Sequence, residues 1–243
     1  MFAEPATCGV VIPCHNEASS IASVVCGIRS FIPWVLVVDD GSTDATGILA
    51  TRAGARLLSR SRRGGKGQAL RQGWTAARDA GFEWVLMLDG DGQHAPEEAP
   101  RLLAAASLRR PLIIGNRLPA TAMPWLRRSV NSWMSRRLSR VADRPLPDSQ
   151  CGYRLAHLPT LLDLDIGARH FEIESEMCLA FARAGLAVEF VPITARYGTE
   201  RSKIRPILDS WRWCRWYLST RRSPATRVPG RTPVTAGSSV QPA

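Results

Sequence analysis

Asp89 and Asp91 stand one residue apart among glycines, where the apolar run 84–88 ends. A run of this length predicts a buried strand, and open α/β folds bind ligands at the carboxyl edge of the sheet. On an extended backbone both carboxylates would lie on the same side. With the amide of Gln93 and the imidazole of His94, they suit Mg²⁺ or Mn²⁺ shared with substrate phosphates. The stretch predicts a metal and diphosphate site; a plain turn is the alternative, because Asp-Gly is common in turns.

Polar residues follow other apolar runs as well. Asp39 and Asp40 follow the run 35–38, and the run 112–114 leads through Gly and Asn to Arg117. The two aspartates could simply begin a helix, where acidic side chains favour the helix dipole. Because parallel strands end at one sheet edge, the gathering of these groups there strengthens the interpretation as a site.

Lys66 lies in a basic, glycine-rich stretch, Arg-Arg-Gly-Gly-Lys-Gly, at positions 62–67. This stretch is not a P-loop, because Gly67 replaces the Ser or Thr that would hold Mg²⁺ and the first glycine of that motif is not at the required spacing. Lys66 is therefore either a phosphate contact or part of a flexible loop.

The charge balance is strongly basic, with a net charge of +11 and a pI near 10.4 over 243 residues. Almost all of the cations are arginines, whose planar fork grips phosphates bidentately. We therefore expect an anionic partner: a nucleotide, a lipid phosphate, an anionic membrane surface or nucleic acid. Nucleic acid is the weakest of these, because carboxylates in the cleft would repel a phosphate backbone.

The six cysteines are scattered without a Cys-x-x-Cys pair, so neither a zinc site nor a thiol-redox motif is indicated. We expect reduced thiols and a cytoplasmic setting. The first residues lack the pattern of a signal peptide, and no run approaches the roughly 20 apolar residues that span a bilayer.

Short apolar runs alternate with helical patterns through the first half of the chain. This alternation predicts an α/β fold, with a mostly parallel central sheet and helices on both faces. The second half carries a basic amphipathic helix at 125–141, a polar loop at 148–154 and, after Arg201-Ser202-Lys203, a helix with several tryptophans. Those tryptophans suit either core packing or a membrane interface. We expect one domain over 1–222 and a disordered tail over 223–243.

Seven segments resemble family 2 inverting glycosyltransferases of the GT-A fold, in particular the dolichyl-phosphate mannosyltransferases and polyprenyl-phosphate glycosyltransferases. The resemblance extends over about 9–209, although many polyprenyl-phosphate enzymes carry later transmembrane helices that this chain lacks. The matching segments are Val-Ile-Pro13-Cys-His-Asn16-Glu17, Val-Val-Asp39-Asp40-Gly-Ser-Thr-Asp44, Gly65-Lys66-Gly67, Asp89-Gly-Asp91-Gly-Gln93-His94, Gly115-Asn-Arg117, Asp148-Ser-Gln150-Cys-Gly152-Tyr-Arg154 and Ser202-Lys203-Ile.

The resemblance implies a Rossmann-like nucleotide-sugar half over 1–117 and an acceptor half over 118–222. It implies a role in holding the nucleotide and phosphates for Pro13, Asn16, Glu17, Asp40, Lys66, Arg128 (or Arg127), Arg201 and Lys203. Asp40 would recognise the base, since a carboxylate can accept from the ring N–H of uracil or guanine. The metal ligands would be Asp89, Asp91 and Gln93, and the catalytic group would be Asp89, Asp91, Arg117, Asp148 and Gln150.

The expected activity is metal-dependent transfer of a hexose from a GDP- or UDP-linked sugar, with Mg²⁺ or Mn²⁺ as the cofactor. A lipid phosphate acceptor needs cations but no general base, because its second pKa is about 6. A hydroxyl acceptor needs a carboxylate base, for which Asp148 is the first candidate. A non-catalytic binder of polyanions is the alternative of another class. With a lipid acceptor, we expect a peripheral protein on the cytoplasmic face of the inner membrane.

Overall fold

The computed structural model describes residues 3–118, 123–196 and 206–220. The predictions for Arg201, Lys203 and the tail 223–243 lie outside the described residues, and the division into two halves stays a prediction. The strands are β1 Cys8–Cys14, β2 Val35–Asp39, β3 Arg56–Ser59, β4 Trp84–Met87, β5 Leu112–Asn116, β6 Arg154–His157 and β7 Val188–Pro192. The helices are α1 Ile21–Arg29, α2 Thr46–Arg52, α3 Lys66–Asp79, α4 Ala99–Ala105, α5 Trp125–Ala142, α6 Leu158–Asp163, α7 Glu172–Arg183 and α8 Pro206–Thr220.

Within these described ranges the strands form one seven-stranded sheet in the order β3-β2-β1-β4-β6-β5-β7. The pairings among β1 to β4 are parallel, as is β5 with β7, while β6 runs antiparallel to both β4 and β5. Every residue of β2 and β4 is buried, so both faces of the sheet centre are covered. The prediction of a mostly parallel α/β sheet is confirmed.

Strand β6 and helix α6 were not predicted: the predicted polar loop ended at Arg154, and no element was assigned to the residues that follow it. β6 has only four residues and begins with Arg154, whose side chain is 1% exposed. Its guanidinium donates to the carbonyl oxygens of Ser149, Cys151 and Glu174. Because its hydrogen bonds to carbonyl oxygens allow a charged residue to be buried here, this four-residue strand lacks the continuous apolar run from which a buried strand is predicted.

The sheet brings the predicted site together at one edge. Strands β1, β2, β4 and β5 run in the same direction. The residues that follow their carboxyl ends include Asn16 after β1, Asp40 after β2, Asp89 after β4 and Arg117 after β5. Because β6 runs the other way, its amino end brings the loop 148–153 to the same edge. Among the described residues, no helix has the length and apolar character needed to cross a membrane.

Candidate active site

Asp89 follows β4 and forms an ion pair with Lys66, the first residue of α3. The Nζ atom of Lys66 lies 2.5 Å from Oδ1 of Asp89 and 2.5 Å from Oε1 of Glu174 on α7. Gly152 lies against the pair, because a Cβ there would come 2.6 Å from Oδ2 of Asp89 and 3.0 Å from Nζ of Lys66. One ammonium therefore joins β4, α3 and α7 at the centre of the site.

Electrostatics keep this cluster ionised. Burial opposes the charge on Asp89, but the combined attraction of its neighbours, of which the ammonium of Lys66 is the strongest, lowers the pKa of Asp89 to about 2. Burial likewise disfavours the charged Lys66, yet the charges of Asp89 and Glu174 hold its pKa well above the usual value. Lys66 is thus a fixed cation beside the predicted metal ligands, and the flexible-loop alternative does not describe it.

Asp91 occupies a different environment from Asp89. Its Oδ1 accepts from the backbone N–H of Gln93 at 3.0 Å. Burial, followed by the negative charge of Asp89, raises the pKa of Asp91 to about 6. Two carboxylates that repel each other in this way form a site that favours a cation.

Gln93 and Arg128 do not take the positions predicted for them. The amide Oε1 of Gln93, the atom that would bind a metal, accepts from Nη1 of Arg127 at 3.1 Å. Arg128 is exposed on α5, whereas Arg127 is partly buried. The positive charge of Arg127 partly opposes the rise in the pKa of Asp91. Helix geometry explains the difference, because adjacent residues point about 100° apart. Arg127 is the arginine of this pair that reaches the site.

His94 is also not placed as a metal ligand. It is 2% exposed and stacks on Tyr153 with ring centroids 5.3 Å apart. Its Nδ1 accepts from the backbone N–H of Asp89 at 3.3 Å, and burial lowers its pKa to about 4. The neutral ring uses Nδ1 to accept this hydrogen bond, so His94 stabilises the turn 89–94 and does not bind a cation.

Arg117 and Asp148 form a buried bidentate ion pair. Nε and Nη2 of Arg117 each donate to Asp148 at 2.9 Å, and the backbone N–H of Arg117 adds a third bond at 3.0 Å. Asp148 is fully buried, and although burial opposes its ionisation, Arg117 lowers its pKa. This arrangement argues against the general-base role predicted for Asp148, because a base must reach a substrate proton and accept it near neutral pH.

Gln150 is partly buried between two serine hydroxyls. Its Nε2 donates to Oγ of Ser149 at 2.9 Å and to Oγ of Ser175 at 2.6 Å. Oγ of Ser175 also accepts from Nε1 of Trp213, at 2.8 Å, which links α8 to this predicted catalytic residue.

On the nucleotide side, the loop after β1 is held against the loop after β2. Asn16 adopts a positive φ of 56°, which Asn tolerates better than most residues. Its backbone N–H donates to Oγ of Ser42, its Oδ1 accepts from the backbone N–H of Thr43, and the backbone N–H of Glu17 donates to Thr46. Pro13 lines a small cavity together with Lys66 and Asp89. The structure thus brings Pro13 close to Lys66 and Asp89, and it joins the loop of Asn16 and Glu17 to the loop after β2.

Asp40 holds the loop before Lys66. Its two carboxylate oxygens accept from the backbone N–H groups of Gly64 and Gly65, at 2.8 and 2.7 Å, and Arg60 lies 3.3 Å away. With 4% exposure, this carboxylate holds the loop in this structure, and its role in recognising a base stays a prediction.

The sequence interpretation missed Glu174 as a site residue, since three alternating glutamates at the start of α7 gave no reason to prefer one of them. Among the described residues, no group of three or more His, Cys, Asp or Glu side chains could hold a metal ion. Asp89 and Asp91 alone therefore fit Mg²⁺ or Mn²⁺ only in the manner in which one or two carboxylates share the ion with substrate phosphates and water.

Comparisons with known proteins identify the family of this chain. Residues 9–157 match the model of the family described as Glycosyl transferase family 2. The chain is 34% identical over 198 residues to the undecaprenyl-phosphate mannosyltransferase of Micrococcus luteus, covering 76% of this chain and 81% of that relative. It is 35% identical over 189 residues to glycosyltransferase AglJ of Haloferax volcanii, covering 76% of this chain and 61% of AglJ.

Among solved structures, glucosyl-3-phosphoglycerate synthase from Mycobacterium tuberculosis superimposes with a TM-score of 0.70. The match covers 88% of this chain and 79% of that one at 24% identity, and it supports the GT-A fold. That structure holds Mn²⁺, uridine-diphosphate-glucose and phosphoglyceric acid. The chain belongs to glycosyltransferase family 2.

Proposed function

We propose that this family 2 glycosyltransferase transfers a hexose, with inversion, from a GDP- or UDP-linked sugar to a polyprenyl phosphate. The observation that carries the proposal is the pair Asp89 and Asp91 at the end of β4, with Lys66 fixed beside them. Two acids and one cation at a sheet edge suit a metal-bound diphosphate leaving group.

Asp89 and Asp91 would hold the divalent ion, which when bound neutralises the charge that builds on the departing diphosphate. The Mn²⁺ in the solved glucosyl-3-phosphoglycerate synthase complex supports this assignment. Lys66 adds a second positive charge at 2.5 Å from Asp89. Gln93 serves this site indirectly, by accepting the hydrogen bond of Arg127.

The donor nucleotide would lie across the loops that follow β1 and β2. Asn16 and Glu17 are fixed there by hydrogen bonds to Ser42 and Thr46, and such loops at the carboxyl edge bind nucleotides in open α/β sheets. The uridine-diphosphate-glucose of the solved neighbour supports a nucleotide sugar as the donor.

The acceptor would be a lipid phosphate. The undecaprenyl-phosphate mannosyltransferase of Micrococcus luteus, 34% identical, supports this class. A phosphate that is largely dianionic at neutral pH attacks without a general base. This agrees with the burial of Asp148 against Arg117. Arg127, which reaches the metal side of the site, would hold the acceptor phosphate.

A surface of α5, which we call the α5 aromatic surface, would contact the membrane that carries this lipid. It comprises Trp125, Leu126 and Val130, which are 77%, 61% and 37% exposed. Exposed arginines flank it at positions 128, 136, 137 and 140. Exposed aromatic and aliphatic side chains beside arginines suit the interface of an anionic bilayer. The protein would then work at the cytoplasmic face of the inner membrane.

A hydroxyl acceptor is the second candidate. The phosphoglyceric acid bound in the solved neighbour favours it, since that protein is named as a glucosyl-3-phosphoglycerate synthase. Such a reaction requires a carboxylate base near the attacking oxygen.

The test is a panel of GDP- and UDP-sugars with purified polyprenyl phosphate or with phosphoglyceric acid, each with Mg²⁺, Mn²⁺ or EDTA. We expect a glycosylated lipid phosphate by mass analysis, formed only with a divalent ion. Asp91→Asn should lower turnover at least about 100-fold. Asp79→Asn, which alters an acid whose side chain is 60% exposed on α3, should leave it unchanged. Turnover of phosphoglyceric acid alone would replace the proposed acceptor, and full activity in EDTA would overturn the metal assignment.

A further inference from the structure

Ser175 on α7 receives two hydrogen bonds from opposite parts of the molecule. Its Oγ lies 2.6 Å from Nε2 of Gln150 and 2.8 Å from Nε1 of Trp213. Ser175 is fully buried and Trp213 is 2% exposed, so the bond between them is shielded from water, whereas the bond to Gln150 is partly buried. A hydroxyl oxygen has two lone pairs, and the two N–H donors use both of them.

Trp213 is itself tightly held. Its ring stacks on Tyr217 at a centroid distance of 5.0 Å with 8° between the planes. It also packs against Trp133 of α5 at 5.5 Å and against Trp216 at 6.2 Å. The indole therefore cannot rotate its N–H away from Ser175 without disturbing the packing of α5 and α8.

We propose that Trp213 is a positioning residue, which holds the amide of Gln150 at the acceptor side of the site through the hydroxyl of Ser175. This inference rests on the proposed function and on the catalytic role that the family resemblance implies for Gln150. It links α8 to the site, although Trp213 follows Gln150 by 63 positions in the sequence. Trp213 itself does not touch the substrate.

The physical reason is that Gln150 has a flexible side chain, whose ordering costs conformational entropy. A serine hydroxyl alone can rotate to other partners. With one lone pair fixed by the indole N–H and the other facing Gln150, the hydroxyl offers Nε2 a single direction. The cost of ordering Gln150 is then met during folding and not when the acceptor binds.

The first test is Trp213→Phe, which keeps an aromatic ring but removes the N–H. We expect the KM for the acceptor that the wild type uses to rise about fivefold, with the KM for the nucleotide sugar unchanged, because one buried hydrogen bond is lost. Gln150→Ala should produce an equal or larger rise. The double variant should be no worse than Gln150→Ala alone, since Trp213 would act only through Gln150.

Trp211→Phe is the matched control on the same helix. Trp211 is 57% exposed and lies under the guanidinium of Arg215 at 5.0 Å. The same chemical change there should leave both KM values as in the wild type. An additive effect of Trp213→Phe in the Gln150→Ala background, or an equal rise in both KM values, would overturn the positioning role.

A second measurement does not depend on turnover. In ¹⁵N-labelled protein, the side-chain amide signal of Gln150 can be assigned by its loss in Gln150→Ala. Trp213→Phe should shift that signal and speed its hydrogen exchange about fivefold, whereas Trp211→Phe should do neither. An unchanged Gln150 signal in Trp213→Phe would refute the inference even if the proposed acceptor were correct. A shifted signal would support it even if the acceptor proved to be a hydroxyl compound.

Discussion

The ammonium of Lys66, on α3, lies 2.5 Å from both Asp89 and Glu174. Asp89 follows β4 and Glu174 lies on α7, so the three side chains come from separate parts of the chain. A buried ion pair of this kind adds little net stability, because burying its charges is costly. Removing one partner is strongly destabilising, because it leaves an uncompensated buried charge. At the scale of single residues, Lys66 thus has two roles: it neutralises Asp89 and Glu174 in the folded protein, and it would supply a cation to the proposed diphosphate.

Replacing Lys66 tests both roles. Lys66→Met should lower the free energy of unfolding by about 3 kcal/mol, since Asp89 and Glu174 would then repel each other. It should also reduce turnover at least about tenfold. Chemical denaturation measures the first effect and steady-state kinetics the second. Lys66→Arg, which keeps the charge, should lose less stability; equal losses in the two variants would show that packing and not charge matters at this position.

Gly152 lies so close to the acid and the ammonium that any side chain would move them. Gly152→Ala would place a Cβ 2.6 Å from Oδ2 of Asp89 and 3.0 Å from Nζ of Lys66. We expect turnover to fall at least about 100-fold, because a displacement of about 1 Å at a catalytic group has this effect. Gly167→Ala is the control, since a Cβ there meets nothing within 4 Å. Retained activity in Gly152→Ala would mean that Asp89 does not need its observed position.

At the scale of elements, the loop 60–65 depends on one carboxylate. Asp40 accepts both glycine N–H groups that precede α3 and pairs with Arg60. Gly65 has a positive φ of 101° and packs against His170, so the loop has little room to rearrange. Asp40 therefore governs where α3 begins and where Lys66 points.

Asp40→Ala should loosen this loop. We expect the amides of Gly64 and Gly65 to exchange with solvent at least about tenfold faster, because each loses a buried acceptor. The KM for the nucleotide sugar should rise in parallel. Asp40→Asn keeps one strong acceptor and should show an intermediate effect on exchange. A raised KM without faster exchange would instead favour direct recognition of the base by Asp40.

Helix α5 presents the α5 aromatic surface to solvent. Trp125→Ser with Leu126→Ser should weaken sedimentation with anionic vesicles at least about tenfold, because burial of each such side chain is worth roughly 1.5–3 kcal/mol. Ile48→Ser on α2, which removes another apolar side chain with 61% exposure, is the control. Equally strong binding to neutral vesicles and to anionic vesicles would show that the flanking arginines do not contribute, since their contribution is electrostatic.

At the scale of the whole molecule, the pair of Arg117 and Asp148 joins β5 to the loop before β6. Its two members are 31 positions apart and at most 4% exposed. We expect Asp148→Asn and Arg117→Met each to destabilise the fold by about 3–5 kcal/mol in denaturant titrations. A much smaller loss of stability with abolished turnover would restore a direct chemical role.

The same pair predicts a dependence on pH. Arg117 lowers the pKa of Asp148 in the folded state, so the contribution is present above the pKa of an unfolded aspartate, about 3.9. It declines as the pH falls below that value toward the lower folded-state pKa, because the unfolded aspartate takes up a proton while the folded one, paired with Arg117, stays ionised. The stability difference between the wild type and Asp148→Asn should therefore stay constant above about pH 5 and narrow below about pH 4, and a difference that stays constant below about pH 4 would contradict the ion pair.

The sequence by itself determined the local parts of the site. The acids after β4, the loop after β1 and the arginine after β5 follow apolar runs at short spacings, and backbone geometry alone places such residues at the end of a strand. The order of these motifs was also sufficient to indicate the family, which the match over 9–157 bears out.

Only the tertiary structure decided which side chains meet. Lys66 and Glu174 are 108 positions apart, and Gln150 reaches Trp213 through Ser175 on a different helix. Such contacts depend on how the sheet and helices pack, which cannot be predicted from the hydrophobic periodicity of single segments. The choice of Arg127 over Arg128 rests on helix rotation, and the burial of Asp148 rests on the pairing of β6 with β5. The sequence therefore specifies the chemical groups, while packing assigns their roles, since charge and burial at each group are set by neighbours distant in the chain.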